Sequence, residues 1–149
     1  MPMTDSIHIR IYDDRDEDAV CALWRRVFPD DPPWNEPKAM LAQKTSFQAE
    51  GLLVGEENGH IVAAVMAGYD GHRGWINAMA VDPAHRAKGY GKDLIDAAVA
   101  KLEDMGAVKV NLQVRGDNMA LRRYYESLGF EVEDRISMSM LTRRGEDMA

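Results

Sequence analysis

The 149-residue chain reads as one α/β (α+β) domain of seven strands and four helices, in the order β-α-α-β-β-β-α-β-α-β-β. Three observations carry this reading. Several short runs alternate apolar and polar residues, the period of strand side chains on opposite faces. Between them lie segments with apolar residues three and four apart, the period of a helix face. Turn and helix-stop residues, among them Asn58-Gly59, Gly106 and Gly129, stand at the joints.

Ile7, Ile9 and Ile11 alternate with His8, Arg10 and Tyr12, as in a half-buried strand. Asp14 or Asp16 can cap the next helix, whose apolar stripe is Val20, Leu23, Trp24 and Val27; Pro29, Pro32 and Pro33 end it. Asn35-Glu36-Pro37 starts a second helix that runs through Met40, Leu41 and Lys44 and stops at Gly51. Residues 52–57 and 61–69 are strands joined at Asn58-Gly59, a hairpin signal. A second tight connection, residues 70–74, leads into a strand over 75–81.

A glycine-bearing turn then opens a helix with Leu94, Ile95, Ala98, Leu102 and Met105 on one face, ended by Gly106. Val108, Val110, Leu112 and Val114 alternate as a strand. Asn118 starts a helix through Leu121, Tyr124, Tyr125 and Leu128, closed by Gly129. Residues 130–133 and 136–141 supply the last two strands, and 143–149 read as a frayed tail. No repeat or linker divides the chain, so residues 1–149 form a single domain.

Composition narrows the function. An apolar fraction of 46% and a charged fraction of 29% are those of a soluble globular protein. Eighteen Lys and Arg against twenty-five Asp and Glu give a net charge of −7, with no basic face for nucleic acid. That balance is compatible with an amine-bearing substrate. Cys21 is the one cysteine, so no internal disulfide forms; it reads as a small core residue of a protein in a reducing compartment. The N-terminus lacks a basic region followed by an apolar run, so no signal peptide is expected, and no stretch is long enough to cross a bilayer. A cytoplasmic protein with no membrane partner follows. His8, His60, His72 and His85 show no ligand spacing, so no metal is expected, and the ten methionines are dispersed gap-fillers.

The densest chemical signal is the run from Asn77 to Ile95, NAMAVDPAHRAKGYGKDLI. A strand stops at Asp82-Pro83, and the basic turn Arg86-Ala87-Lys88-Gly89-Tyr90-Gly91 precedes a helix. The first N–H groups of a helix lack internal partners and carry the positive end of its dipole, so this order builds an anion site. Glycine lets a backbone approach a phosphate closely. A P-loop is excluded, because Arg86 stands where its first glycine belongs and Asp93 replaces the Ser/Thr. A dinucleotide fold lacks its third glycine and has the wrong strand order. A helix start with incidental glycines remains as the plain alternative.

Arg-x-x-Gly-x-Gly after Met79-Ala80-Val81-Asp82-Pro83 resembles the acetyl-CoA-binding motif of the GNAT N-acetyltransferase superfamily. A second motif, NMALRRYYESLGF from Asn118 to Phe130, is similar to that family's Asn-x-x-Ala/Ala-x-x-x-Tyr-x-x-x-Gly-Phe region. Together with the element order, the resemblance covers nearly the whole chain. The segments 33–37 and 68–74 look like the small bacterial YpeA-like branch. The resemblance implies a GNAT fold, with a central mixed, mostly antiparallel twisted sheet flanked by the helices. It also implies an acetyl-CoA-dependent N-acetyltransferase acting on a primary amine by direct attack on the thioester, and a possible homodimer.

The resemblance further implies roles. Backbone N–H groups of Arg86, Ala87, Lys88, Gly89, Tyr90 and Gly91, with Lys92 nearby, cradle the coenzyme A pyrophosphate. Met79, Ala80 and Val81 pair with the pantetheine arm, and the Val81 N–H stabilises the oxyanion. Asn118 hydrogen-bonds the cofactor, or simply caps its helix. Tyr125 is the general acid for the leaving thiolate; its plainer reading is a core tyrosine, a role that suits Tyr124 better. Trp34 and Asn35 line the acceptor pocket, although Trp34 could equally cover the core. Relatives carry Leu-Glu-Val-Arg where this chain has Leu112-Gln113-Val114-Arg115. Gln113 therefore holds the usual base position without a titratable group, which leaves it the role of orienting substrate or a water chain. Replacement bases are Asp70, His72, Glu36 or Asp117. A rival reading keeps the fold as an acyl-CoA sensor or interaction module without chemistry.

Overall fold

The computed structural model describes residues 7–149. The reading of the first six residues as carrying no leader lies outside them.

Five strands form one sheet in sequence order: β1 (His8–Ile11), β2 (Leu52–Glu57), β3 (His60–Tyr69), β4 (Gly74–Val81) and β5 (Val110–Leu112). The first three pairings are antiparallel and β4–β5 is parallel. The fold is thus the expected α/β arrangement with a mixed, mostly antiparallel sheet. Asn58 (φ 52°) and Gly59 (φ 80°) both take left-handed backbone, as a two-residue turn between right-twisted strands requires.

Strand alternation divides the core into two layers. Leu52 and Val54 of β2 point to one face, with Ala64 and Ala80, under Val20, Cys21, Leu23 and Trp24 of α1 (Glu17–Val27) and Leu41 of α2 (Pro37–Thr45). Leu53, Ala63, Val65, Ala67 and Ile76 point the other way, under Leu94, Ile95, Ala98 and Leu102 of α3 (Tyr90–Met105) and Tyr125 of α4 (Met119–Ser127). Cys21 is buried, as its place on the helical stripe indicates.

Local chemistry sets the ends of these elements. Asp13, rather than Asp14 or Asp16, caps the turn into α1 by accepting from Arg15 N–H, and Asp16 accepts in return from Asp13 N–H at 2.9 Å. Asp16 is freed for a two-pronged ion pair with Arg10, at 2.7 and 2.9 Å. Glu36 caps α2 by accepting from the N–H groups of Lys38 and Ala39. That helix ends at Thr45 instead of reaching Gly51: the Thr45 and Ser46 hydroxyls donate to the Leu41 and Gln43 carbonyls, both at 2.7 Å, and so satisfy its last turn.

Three other expectations need correction. Residues 130–133 and 136–141 are not strands. A strand needs a paired ladder and a covered face; here Ile136, Met138 and Met140 are 88–90% exposed, and side-chain contacts such as Gln113 Nε2 to Ser137 Oγ (2.7 Å) hold the segment near β5 without a ladder. β5 spans 110–112 rather than 108–114, because Val108 is exposed and β4 turns away after Ile76. The tail is not frayed: Arg143–Met148 form a short helix, α5, whose first turn Thr142 caps through Gly145 N–H. α5 lies against the 3-10 turn Pro33–Asn35, and its presence makes five α-helices among the described residues rather than four.

Candidate active site

The site begins with a break in β4. Ala78 has φ 50°, a left-handed conformation rare for a residue with a Cβ, and the β3–β4 register shifts opposite it, between Ala64 and Met66. The Trp24 indole N–H donates to the displaced Ala78 carbonyl at 2.9 Å. Past this bulge β4 separates from β5, whose pairing ends at Ile76–Leu112.

The separation leaves donors open. Asp82 N–H donates to Val62 O on β3 at 2.8 Å. Backbone groups alternate sides along a strand, so the N–H groups of Val81 and Met79 face away from β3, toward the edge that β5 no longer covers. An extended amide chain can add to such an edge.

Opposite that edge is the N-terminus of the sixteen-residue helix α3. Ala87 (φ 67°) and Gly89 (φ 80°) bend the turn before it into left-handed backbone. Gly91 is buried, and a Cβ there would run into the Tyr124 hydroxyl and stand 3.1 Å from Met79 Cε. Glu57 of β2 holds the turn from below: it accepts from the Tyr90 hydroxyl and faces His85 Nδ1 at 3.4 Å and Lys88 Nζ at 3.5 Å. Those contacts keep its carboxyl below the usual carboxylate range, the Tyr90 hydrogen bond most of all.

Edge and helix open into one cleft of about 1320 Å³. It brings together Met79, Ala80 and Val81 from β4, Arg86, Ala87, Gly89, Tyr90, Gly91 and Lys92 from the turn, Asn118 and Tyr125 from α4, Gln113 after β5, and Trp34 and Asn35 from the turn before α2. Lys88 is the exception among the residues expected to bind cofactor or acceptor: its ammonium is drawn to Glu57 and it does not line the cleft. Asn118 Oδ1 accepts from Leu121 N–H at 3.1 Å, which makes it the α4 cap and leaves its amide N–H groups for another partner.

The two tyrosines exchange the places anticipated for them. Tyr125 is 7% exposed, packed edge-on against Phe130 and Tyr124, whereas Tyr124 is 36% exposed at the mouth. Burial pushes the Tyr125 phenol up to about 12. Its hydroxyl has no hydrogen-bond partner among the described residues.

The four substitutes for a base stand elsewhere. Asp70 is spent on its turn, accepting from His72 and Arg73 N–H at 2.8 and 2.7 Å, which lowers its pKa. Glu36 caps α2 and pairs with Arg25 at 2.6 Å. His72 and Asp117 are exposed and, like Asp70 and Glu36, do not line the cleft. Sequence reasoning passed over the carboxylates that do line it, Asp30 and Asp31, together with Asn77 and Lys44. Asp30 and Asp31 sit in a proline-flanked loop that read only as a helix stop. Lys44 had a signal: it lies three residues after Leu41, on the apolar face of α2.

Residues 17–130 match the profile of the acetyltransferase (GNAT) family. An acetyltransferase of Yersinia pestis is 39% identical over 134 residues, covering 89% of this chain and 93% of that one. An acetyltransferase of Pectobacterium atrosepticum is 40% identical over the same length and coverage. Among solved structures, an aminoglycoside N-acetyltransferase, AAC(6')-Iy in complex with CoA, superposes with a TM-score of 0.76 at 19% identity, over 95% of this chain and 98% of that one. Ard1 from Thermoplasma volcanium gives 0.76 at 23% identity, over 85% and 84%. At those identities the structural likeness concerns the fold.

Proposed function

We propose, given that this chain belongs to the GNAT acetyltransferase family, that it is an acetyl-CoA-dependent N-acetyltransferase for a primary amine. The carrying observation is the unpaired β4 edge facing the α3 N-terminus across one cleft, with a buried tyrosine between them. The donor fits that geometry. The α3 N-terminus and the Arg86–Lys92 turn suit a pyrophosphate, the Met79 and Val81 edge suits the pantetheine amides, and the Asn118 amide N–H groups supply a further donor.

The reaction joins the nitrogen of the neutral amine to the acetyl carbonyl carbon and breaks that carbon's bond to sulfur, which leaves as the thiolate, while the proton shed by the nitrogen passes to solvent. The Val81 N–H, with that of Met79 on the same edge, stabilises the charge developing on the carbonyl oxygen. Tyr125 remains protonated throughout the physiological range and donates to the departing thiolate. A phenol near 12 gives a hydrogen bond more readily than a whole proton to a thiolate whose acid lies at about 8.5. Gln113, Trp34 and Asn35 orient the acceptor, and Asp30 and Asp31 supply the negative charge that draws an ammonium group into the cleft.

The amide at Gln113, where relatives have a glutamate, favours a second reading: an acyl-CoA sensor that binds without turnover. A screen of polyamines, amino acids and peptides for CoA release separates the two. Turnover with any amine supports the enzyme; tight acetyl-CoA binding with no release across the panel supports the sensor.

A further inference from the structure

Lys44 ends the last turn of α2 and is only 8% exposed. Its Nζ donates to the Ala67 carbonyl at 2.6 Å. That carbonyl is left open because β2 begins at Leu52, opposite Met66, and goes no further along β3. Two positions on, Gln48 serves Tyr69 in the same way, accepting from its N–H at 2.8 Å and donating to its carbonyl at 2.7 Å. An uncharged amide therefore suffices to finish this sheet edge, and the positive charge of Lys44 is not needed for it.

The charge is also unbalanced. An ammonium carries three donors. Among the described residues Ala67 O is its one hydrogen-bond partner, and no carboxylate lies within ion-pair distance. Burial lowers the Lys44 pKa, and the charge of Glu50 opposes that. An uncompensated buried charge costs stability. Lys44 lines the cleft beside Gln43, Met66 and Asn77, on the α2 side and away from the α3 N-terminus.

We propose that the Lys44 ammonium receives a carboxylate of the acceptor, so that the molecule acetylated is an amine that also carries a carboxylate. This rests on the acetyltransferase reading of the cleft. A monoanion fits better than a phosphate dianion, because the Lys44 ammonium stands at the negative, C-terminal end of α2 and Arg115, which also lines the cleft, is 4.0 Å from Asp31. Ala67 lies opposite Ile76, and Ala63 opposite Val81. Four strand residues, roughly 13 Å, separate the Lys44 anchor from the proposed oxyanion donor. The amine and the carboxylate are thus held several bonds apart, as in an ω-amino acid or a peptide.

The test compares 6-aminohexanoate with 6-aminohexanamide on the wild-type protein, Lys44→Gln and Lys44→Met. Glutamine keeps a donor for Ala67 O while removing the charge, and thermal melts establish that each variant is folded. In the wild type the KM for the carboxylate is lower by about ten- to a hundredfold, the size of a lost charge-assisted bond, with similar kcat. Lys44→Gln makes the two probes equal. No preference in the wild type, or a preference that survives in Lys44→Gln, overturns the assignment. Calorimetric binding of both probes to the CoA-loaded protein is read alongside. If no CoA is released with either, the amine panel decides the acetyltransferase reading separately; carboxylate-selective binding abolished in Lys44→Gln then still upholds the role of Lys44, and equal or absent binding of the two probes overturns it.

Discussion

The Trp24 indole N–H reaches across the α1 layer to the Ala78 carbonyl, 2.9 Å away, at the one point where β4 leaves its regular path. A core residue thus holds the distortion that opens the β4 edge to the cleft. Trp24→Phe keeps most of the apolar volume and leaves that carbonyl without its donor. The expected cost is about 1–3 kcal/mol of stability, read by denaturant melts, together with a fall in kcat larger than any change in acetyl-CoA affinity. Unchanged kcat in a destabilised variant would separate the bulge from catalysis.

Tyr125→Phe removes only a hydroxyl that has no partner among the described residues, so folding is expected to survive. Loss of a charge-assisted hydrogen bond to the departing thiolate lowers the rate by about ten- to a hundredfold while calorimetry returns a wild-type acetyl-CoA affinity. Because burial raises the phenol to about 12, its protonated form persists below that pH. A wild-type rate that falls with a tyrosine-like ionisation near pH 10 would contradict the raised phenol, and a Tyr125→Phe rate equal to that of the wild type would contradict the role.

Gly91→Ala places a methyl group against the Tyr124 hydroxyl and Met79, at the first turn of α3. Acetyl-CoA affinity is expected to weaken by about tenfold, since overpacking costs roughly 1–3 kcal/mol and shifts backbone. Combining it with Tyr124→Phe, which removes the clashing oxygen, recovers part of the loss if the clash is the cause. Strict additivity in a double-mutant cycle would show that it is not.

The buried Asp16 carboxylate and the half-buried Arg10 form the ion pair that ties β1 to the start of α1. The Arg10 hydrogen bonds hold the Asp16 pKa below its ordinary value. The stabilisation is therefore complete above the normal carboxylate range and is lost as pH falls through the lowered, folded-state value. Asp16→Asn is expected to cost about 3 kcal/mol at neutral pH, and its difference from wild type should shrink on titration toward pH 3. A gap that stays constant with pH would remove the ion pair as the cause.

Much of this molecule is legible in the chain because local chemistry and tertiary packing agree. The apolar runs over 52–57 and 61–69 around Asn58-Gly59 predict a strand pair, and the structure has one there, with side chains of both faces in the core. Asn118 and Gly106 mark helix ends where the structure has them. The final strands fail on the same reasoning: alternation at Ile136, Met138 and Met140 describes a surface that could pair, but supplies neither the partner nor the cover.

The sequence by itself determined the half of the cleft built by β4 and the α3 N-terminus, because a strand, a basic glycine turn and a helix N-terminus are contiguous, and contiguous backbone geometry follows from local rules. Only the tertiary structure decided what faces it across the cleft. Asp31, Lys44, Gln113 and Tyr125 lie far apart in the chain and meet where β4 and β5 part. Which carboxylates reach the cleft, which tyrosine is buried, and that a lysine ammonium is sealed against a sheet carbonyl depend on long-range packing, and no local periodicity encodes it.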